Sequence, residues 1–160
     1  MKKFAIEIKW GIRYAFLWIL WLYAEKKFGY YNTKINDHAL YSMLFMVVML
    51  IVYFAAIKEK KVDFFENQMS WKQGVVTGIF LTVVIVLLTP ICQIIFHKAI
   101  APEFFPNMIK HAVSNGNSAE VAQNYFNLWS YILQSIFGTL SLGVVLSAIV
   151  ALFLQTKKEK

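Results

Sequence analysis

VVTGIFLTVVIVLLTPICQIIF, running from Val75 to Phe96, decides the fold: 22 residues without one charged side chain. At 1.5 Å per residue a helix of that length covers about 33 Å, enough for the roughly 30 Å hydrocarbon core of a bilayer. Ala39 to Ile57 is a second such stretch of 19 residues, and Leu128 to Leu154 a third of 27. Uncharged apolar runs of about 18 or more residues read as transmembrane helices. In a chain of 160 residues these runs leave little room for a separate soluble domain. The sequence therefore predicts an all-α polytopic membrane protein, with one membrane domain over residues 1–160.

A fourth span is expected over about residues 10–31. Trp10 to Ala24 is apolar except for Arg13, but those 15 residues are too short to span. Extending through Glu25, Lys26 and Lys27 to Phe28, Tyr30 and Tyr31 supplies the length and an aromatic belt. Arg13 and the Glu25–Lys27 cluster would snorkel towards opposite interfaces. A cleaved signal peptide competes with this. It has the basic Met1-Lys2-Lys3 start, but Arg13, three tryptophans and the lack of an A-x-A-like site favour an uncleaved span.

The net charge of +7 does not indicate nucleic acid as a partner, because the basic residues collect at span ends. Eleven Lys or Arg fall in residues 1–13, 58–74 and 155–160, against five in the other connections. That asymmetry puts both termini in the cytoplasm.

The connections carry their own signals. Ser70 with Gln73 predicts a capping box opening the third span. Val62, Phe64, Phe65 and Met69, apolar among charges, would rest on the headgroups. Thr89-Pro90 should kink the third span, with the Thr89 hydroxyl serving a freed carbonyl. Residues 103–126 predict two amphipathic helices on the outer interface. Phe104, Phe105, Met108, Ile109, Ala112 and Val113 line the first; Asn115-Gly116 stops it. Asn117 with Glu120 resembles a cap for the second, which carries Val121, Ala122, Tyr125, Phe126 and Trp129.

The order of these parts resembles a known family. Met69 to Gly78 contains Ser70-Trp71-Lys72-Gln73-Gly74, and Pro102 to Tyr125 follows Ala101 as an amphipathic excursion before a long last span. It looks like a family of four-span membrane proteins of unknown function, widespread in Bacteroidota and known as a domain of unknown function. The resemblance covers nearly the whole chain. It implies a bacterial inner-membrane location and no assigned activity. The excursion around Ser114 to Glu120 is shorter and less acidic than the family's, so a shared role for acidic residues there does not carry over.

Candidate chemistry is sparse. His38, His97 and His111, with Asp37 and Glu103, share the outer side, but no helical His pair is present and no metal centre is expected. The lone Cys92 has no disulfide partner. Met43, Met46 and Met49 read as packing material. Glu25 is the candidate intramembrane charge; the adjacent Lys26 and Lys27 favour pairing near the headgroups. Thr89, Pro90 and Gln93, with Cys92, form a polar patch that lines a cavity or hydrogen-bonds between helices. Ser135, Thr139, Gly143, Ser147 and Ala151 recur every four residues as a packing stripe, against another span or a second copy. No Ser/His/Asp arrangement, P-loop or dinucleotide motif is present, so no catalytic residue and no cofactor is expected.

Two functions fit. One is a non-enzymatic structural or accessory component whose partners are the lipid bilayer and another membrane protein, or a second copy of itself. The other is a small oligomeric transporter or channel built around Pro90 and Gln93.

Overall fold

The computed structural model describes residues 3–156. The terminal lysines that contributed to the charge asymmetry, Lys2, Lys157, Lys158 and Lys160, lie outside the described residues. Among those described the chain is helical, with no strand. Its elements are α1 (Ala5–Lys27), a 3-10 turn (Ile35–Asp37), α2 (His38–Met43), α3 (Phe45–Asp63), α4 (Trp71–Ile95), a π-turn (Phe96–Ile100), α5 (Phe104–Ser114), α6 (Ala119–Tyr125) and α7 (Leu128–Leu154).

Three stretches are long and apolar enough to cross a membrane: Ile35–Asp63, Trp71–Ile100 and Leu128–Leu154. α1 is long enough, its 23 residues covering about 34 Å, but carries too many charges for that criterion. It also begins earlier and ends earlier than the expected 10–31. It begins earlier because its first charges have partners on α3. The Lys60 ammonium lies 3.0 Å from Glu7 in a buried ion pair and also donates to the Lys3 carbonyl. Lys9 and Trp10 both donate to Glu59. α1 ends at Lys27 because Gly29 takes φ +82°, a left-handed conformation that favours glycine. Tyr30 N–H then bonds the Glu25 carbonyl at 3.0 Å and Gly29 N–H the Lys26 carbonyl at 3.1 Å, the Schellman pattern. Phe28, Tyr30 and Tyr31 are thus not one belt on a helix: Phe28 is exposed while Tyr31 is buried beneath the turn.

α4 and α7 form the central antiparallel pair, and the expected small-residue stripe is their seam. A Cβ added at Gly78 would sit 2.2 Å from Ser147 Oγ, one at Gly74 2.7 Å from Ala151 Cβ, and one at Gly143 2.4 Å from Thr82 Oγ1. Backbones this close require small residues on both sides. Of the two partners left open for the stripe, the structure supplies another helix of the same chain. α1 packs across α4 through Gly11, whose missing Cβ would strike Val84. α3 fills the remaining groove with Phe45, Met49, Val52, Tyr53 and Ile57.

Capping chemistry sets the other boundaries. Ser70 and Gln73 form the full capping box, with Ser70 N–H donating to Gln73 Oε1 at 2.8 Å. α4 continues through Pro90. The carbonyl that proline leaves without an amide is that of Val86, whereas the Thr89 hydroxyl donates one residue upstream, to the Ile85 carbonyl at 3.0 Å. Asn115 ends α5, with Gly116 at φ +92°. The cap of α6 is Ser118, not Asn117: the Ser118 hydroxyl accepts from Val121 N–H, while the Asn117 side chain bonds back to the Ala112 carbonyl. α6 stops at Tyr125, before Phe126 and Trp129, because Asn127 caps α7 by accepting from Ser130 N–H at 2.9 Å. The loop after α3, expected to rest on headgroups, packs into the bundle at Met69. Met69 is fully buried, and Thr156 clamps it to the end of α7 through two hydrogen bonds.

The exterior of the bundle is apolar, and several polar side chains lie within its core. Thr77, Thr82, Thr89, Gln93 and Ser147 are buried, while Phe16, Leu87, Phe137 and Phe153 are among the most exposed side chains.

Candidate functional site

At the end of the bundle where α1 turns back, seven elements (α1, α2, α3, α4, the π-turn, α5 and α7) line a cavity of about 210 Å³. Its wall includes Trp21, Glu25, Tyr31, His38, Gln93 and His97. Glu25 sits at its base with no exposed surface. Trp21, one turn earlier on α1, donates its indole N–H to Glu25 Oε1 at 3.0 Å. The Gly29 turn folds Tyr31 back, so its hydroxyl reaches Glu25 Oε2 at 3.0 Å. Ser42 on α2 donates to Oε1 at 2.6 Å. His38, one turn before Ser42, holds Nε2 3.6 Å from Oε2. Trp21, Tyr31 and Ser42 are donors, which suits the acceptor-only chemistry of a carboxylate.

The opposite wall comes from α4 and α7. Gln93 donates its amide N–H to Ser135 Oγ at 2.7 Å, joining the two helices at the chamber end of their seam. Two buried polar atoms here have no protein partner, Gln93 Oε1 and His97 Nδ1. The π-turn that continues α4 buries both Phe96 and His97; such wide turns recur at functional sites. α5 closes the top. Phe104 packs against the rings of Tyr31, His97 and Tyr131 at centroid distances of 4.7, 4.7 and 5.3 Å. Asn107 ties α5 down by donating to the Tyr31 carbonyl at 2.9 Å. Lys26 adds a clasp from α1, with its ammonium 2.9 Å from Glu103 and donating to the Ile100 carbonyl. At Glu103 partial burial opposes charge, but the adjacent Lys26 ammonium prevails and holds the carboxyl below its usual range.

The residues singled out from sequence thus divide. Glu25 and Gln93 face one chamber, and Ser135 meets them as the outermost member of the stripe. Gly143, Ser147 and Ala151 are buried along the seam, with Thr139 half-buried. Thr89 and Pro90 lie below the chamber and are not part of its lining. Pairing of Glu25 with Lys26 or Lys27 is replaced by three hydrogen-bond donors, Trp21, Tyr31 and Ser42, because Lys26 turns outward to Glu103. His38 and His97 both enter the chamber, whereas His111 lies on α5 with Asn115. Among the described residues no group of three or more His, Cys, Asp or Glu is arranged to hold a metal ion. Trp21, Tyr31, Ser42 and Tyr131 were missed. Trp21 and Glu25 are one helical turn apart, and Gly29 marks the turn that returns Tyr31, so both signals were in the sequence.

Residues 9–156 match the family described as a protein of unknown function, DUF4199. The chain belongs to this DUF4199 family. The match covers nearly every element, from within α1 to the end of α7, so the chamber and the α4–α7 seam both fall inside the family region. No curated protein and no solved structure matches this DUF4199 chain.

Proposed function

We propose that this DUF4199 chain is a four-span bacterial inner-membrane protein, with both termini cytoplasmic, that binds a small polar solute in the Glu25–Gln93 chamber without catalysing a reaction on it. The carrying observation is the chamber itself: a cavity of about 210 Å³ whose wall holds two buried polar atoms without a partner. Buried polar atoms are almost always hydrogen-bonded, and leaving one bare in apolar surroundings costs about 1–3 kcal/mol. A cavity somewhat smaller, roughly 150 Å³, is enough to take up benzene when its walls are apolar. A polar wall selects a polar occupant.

This favours the transporter or channel alternative over a purely accessory role. An accessory role played through the α7 stripe loses its surface, because Gly143, Ser147 and Ala151 pack against α4 within the chain. A membrane-protein partner or second copy would meet a different face. Assignment of α1 as the fourth span is supported by the fate of its charges: Glu7 and Lys9 pair with α3, and Glu25 has its donors inside the bundle. The positive-inside asymmetry supports the orientation, and the resemblance to Bacteroidota proteins supports the bacterial inner membrane.

The test uses the purified protein in lipid nanodiscs, titrated with small ammonium, carboxylate and neutral amide solutes. Trp18 and Trp21 line the chamber, so binding is expected as a saturable change in tryptophan fluorescence with at least one class. Ser135→Phe, which fills the cavity, should abolish it while the variant still unfolds cooperatively. Absence of a saturable response to all three classes refutes the reading.

A further inference from the structure

We infer that the chamber takes a primary ammonium, with Glu25 as its counter-charge and Gln93 as its hydrogen-bond acceptor; this rests on the reading that the chamber binds a solute. The inventory of unfilled hydrogen-bonding capacity points that way. A carboxylate offers about four lone-pair sites. Trp21 and Ser42 occupy Oε1 of Glu25, and Tyr31 occupies one position on Oε2. His38, at 3.6 Å, is too distant to count as a hydrogen bond on the remaining Oε2 position. Gln93 spends its N–H on Ser135, so what it presents unpaired is an acceptor, Oε1. At Gln93 the occupant must therefore donate, whereas His97 Nδ1, the other unpaired atom, serves a donor or an acceptor according to its tautomer.

Charge narrows the class. The titratable groups lining the chamber are Glu25, His38, His97, Tyr31 and Tyr131. A carboxylate ligand would share a low-dielectric box with Glu25, and like charges there repel strongly. A neutral apolar ligand would leave Gln93 Oε1 and His97 Nδ1 bare. The remaining wall is aromatic, including Trp18, Trp21, Phe45 and Tyr131. Rings facing a buried carboxylate make a setting in which a desolvated cation gains from both the charge and the ring quadrupoles. A primary ammonium adds three N–H donors, which a quaternary ammonium lacks. The small volume restricts the attached group to a few carbons.

The experiment compares ethylammonium, tetramethylammonium, acetate and acetamide, each in constant ionic strength, by tryptophan fluorescence and by thermal stability in nanodiscs. Ethylammonium should bind saturably, tetramethylammonium at least about tenfold more weakly, and acetate not at all, since a hydrogen bond to a charged group is worth about a factor of ten or more. Glu25→Gln should weaken ethylammonium at least about tenfold. Because that variant disturbs a buried cage and could lose the fold, Gln93→Met serves as a second probe. It should lower ethylammonium affinity while leaving tetramethylammonium unchanged, a ratio measured within one protein and insensitive to its stability. Preference for acetate or acetamide, or an unaltered ratio in Gln93→Met, overturns the ammonium assignment while the solute-binding reading stands. No response to any of the four removes both.

Discussion

Replacing Gly143 with alanine tests the α4–α7 seam near the midpoint of α7. The added Cβ would lie 2.4 Å from Thr82 Oγ1, 2.5 Å from Thr82 Cγ2 and 2.6 Å from the Tyr53 hydroxyl. None of these can retreat cheaply. Thr82 is β-branched and stiff at χ1, its hydroxyl donates to the Gly78 carbonyl at 2.8 Å, and the Tyr53 hydroxyl is held against it at 2.6 Å. Overpacking a close-fitted core costs about 1–3 kcal/mol. Displacing the Tyr53–Thr82 contact adds about 1 kcal/mol for the lost hydrogen bond. The expected destabilisation is therefore about 2–4 kcal/mol, and Gly143→Leu should exceed it. The chain contains its own control on the same helix: a Cβ at Gly138 meets nothing within 4 Å. Gly138→Ala should be neutral or stabilise by up to about 1 kcal/mol through helix propensity. Equilibrium unfolding in mixed detergent micelles measures both. Equal stability of the two alanine variants would refute the seam geometry.

Removing one partner of the buried Glu7–Lys60 pair should destabilise by about 3–5 kcal/mol, whereas Glu7→Leu with Lys60→Met should recover most of that loss, measured by the same unfolding assay. Lys26→Met should lower thermal stability modestly, and the difference from the parent should depend on pH. Glu103 is depressed by Lys26 in the folded state; the pair therefore contributes above the ordinary glutamate value, and the difference should shrink as pH falls through the lower folded-state value. A reporter active only in the periplasm, fused after Lys160, should be silent; strong activity would place the C-terminus outside.

The three long apolar helices were legible because uncharged apolar runs of that length read as helices able to cross a membrane. The α7 stripe was equally legible, since small residues every fourth position mark a close approach whatever lies opposite. Its partner was not, because Gly74, Gly78 and Thr82 on α4 acquire meaning only once the two helices run antiparallel. The bounds of α1 were misjudged at both ends, at the first because a charge was weighed against lipid without knowledge of its partner. Glu7 and Lys9 made the first turns look unfit for a helix in the membrane, yet Lys60 and Glu59 stand more than 45 residues away in sequence and next to them in space. At the other end Gly29 was a readable stop, outweighed by the length the span seemed to need.

The same physics accounts for the chamber. The exposed surface of the helices includes Phe16, Leu87, Phe137 and Phe153, while Glu7, Lys60, Glu25 and Gln93 are buried within a largely apolar core. With no water to solvate them, interior polar groups must satisfy one another. At the Glu7–Lys60 end they do, as a closed pair. At the Glu25 end the donors Trp21, Tyr31 and Ser42 converge on the carboxylate, but Gln93 Oε1 and His97 Nδ1 across the cavity are left over. Packing alone would have filled that space with a larger side chain at Ser42 or Ser135. Two serines stand there instead, with a buried carboxylate behind one and an unpaired acceptor beside the other, and the proposed solute site rests on that mismatch between interior polarity and interior packing.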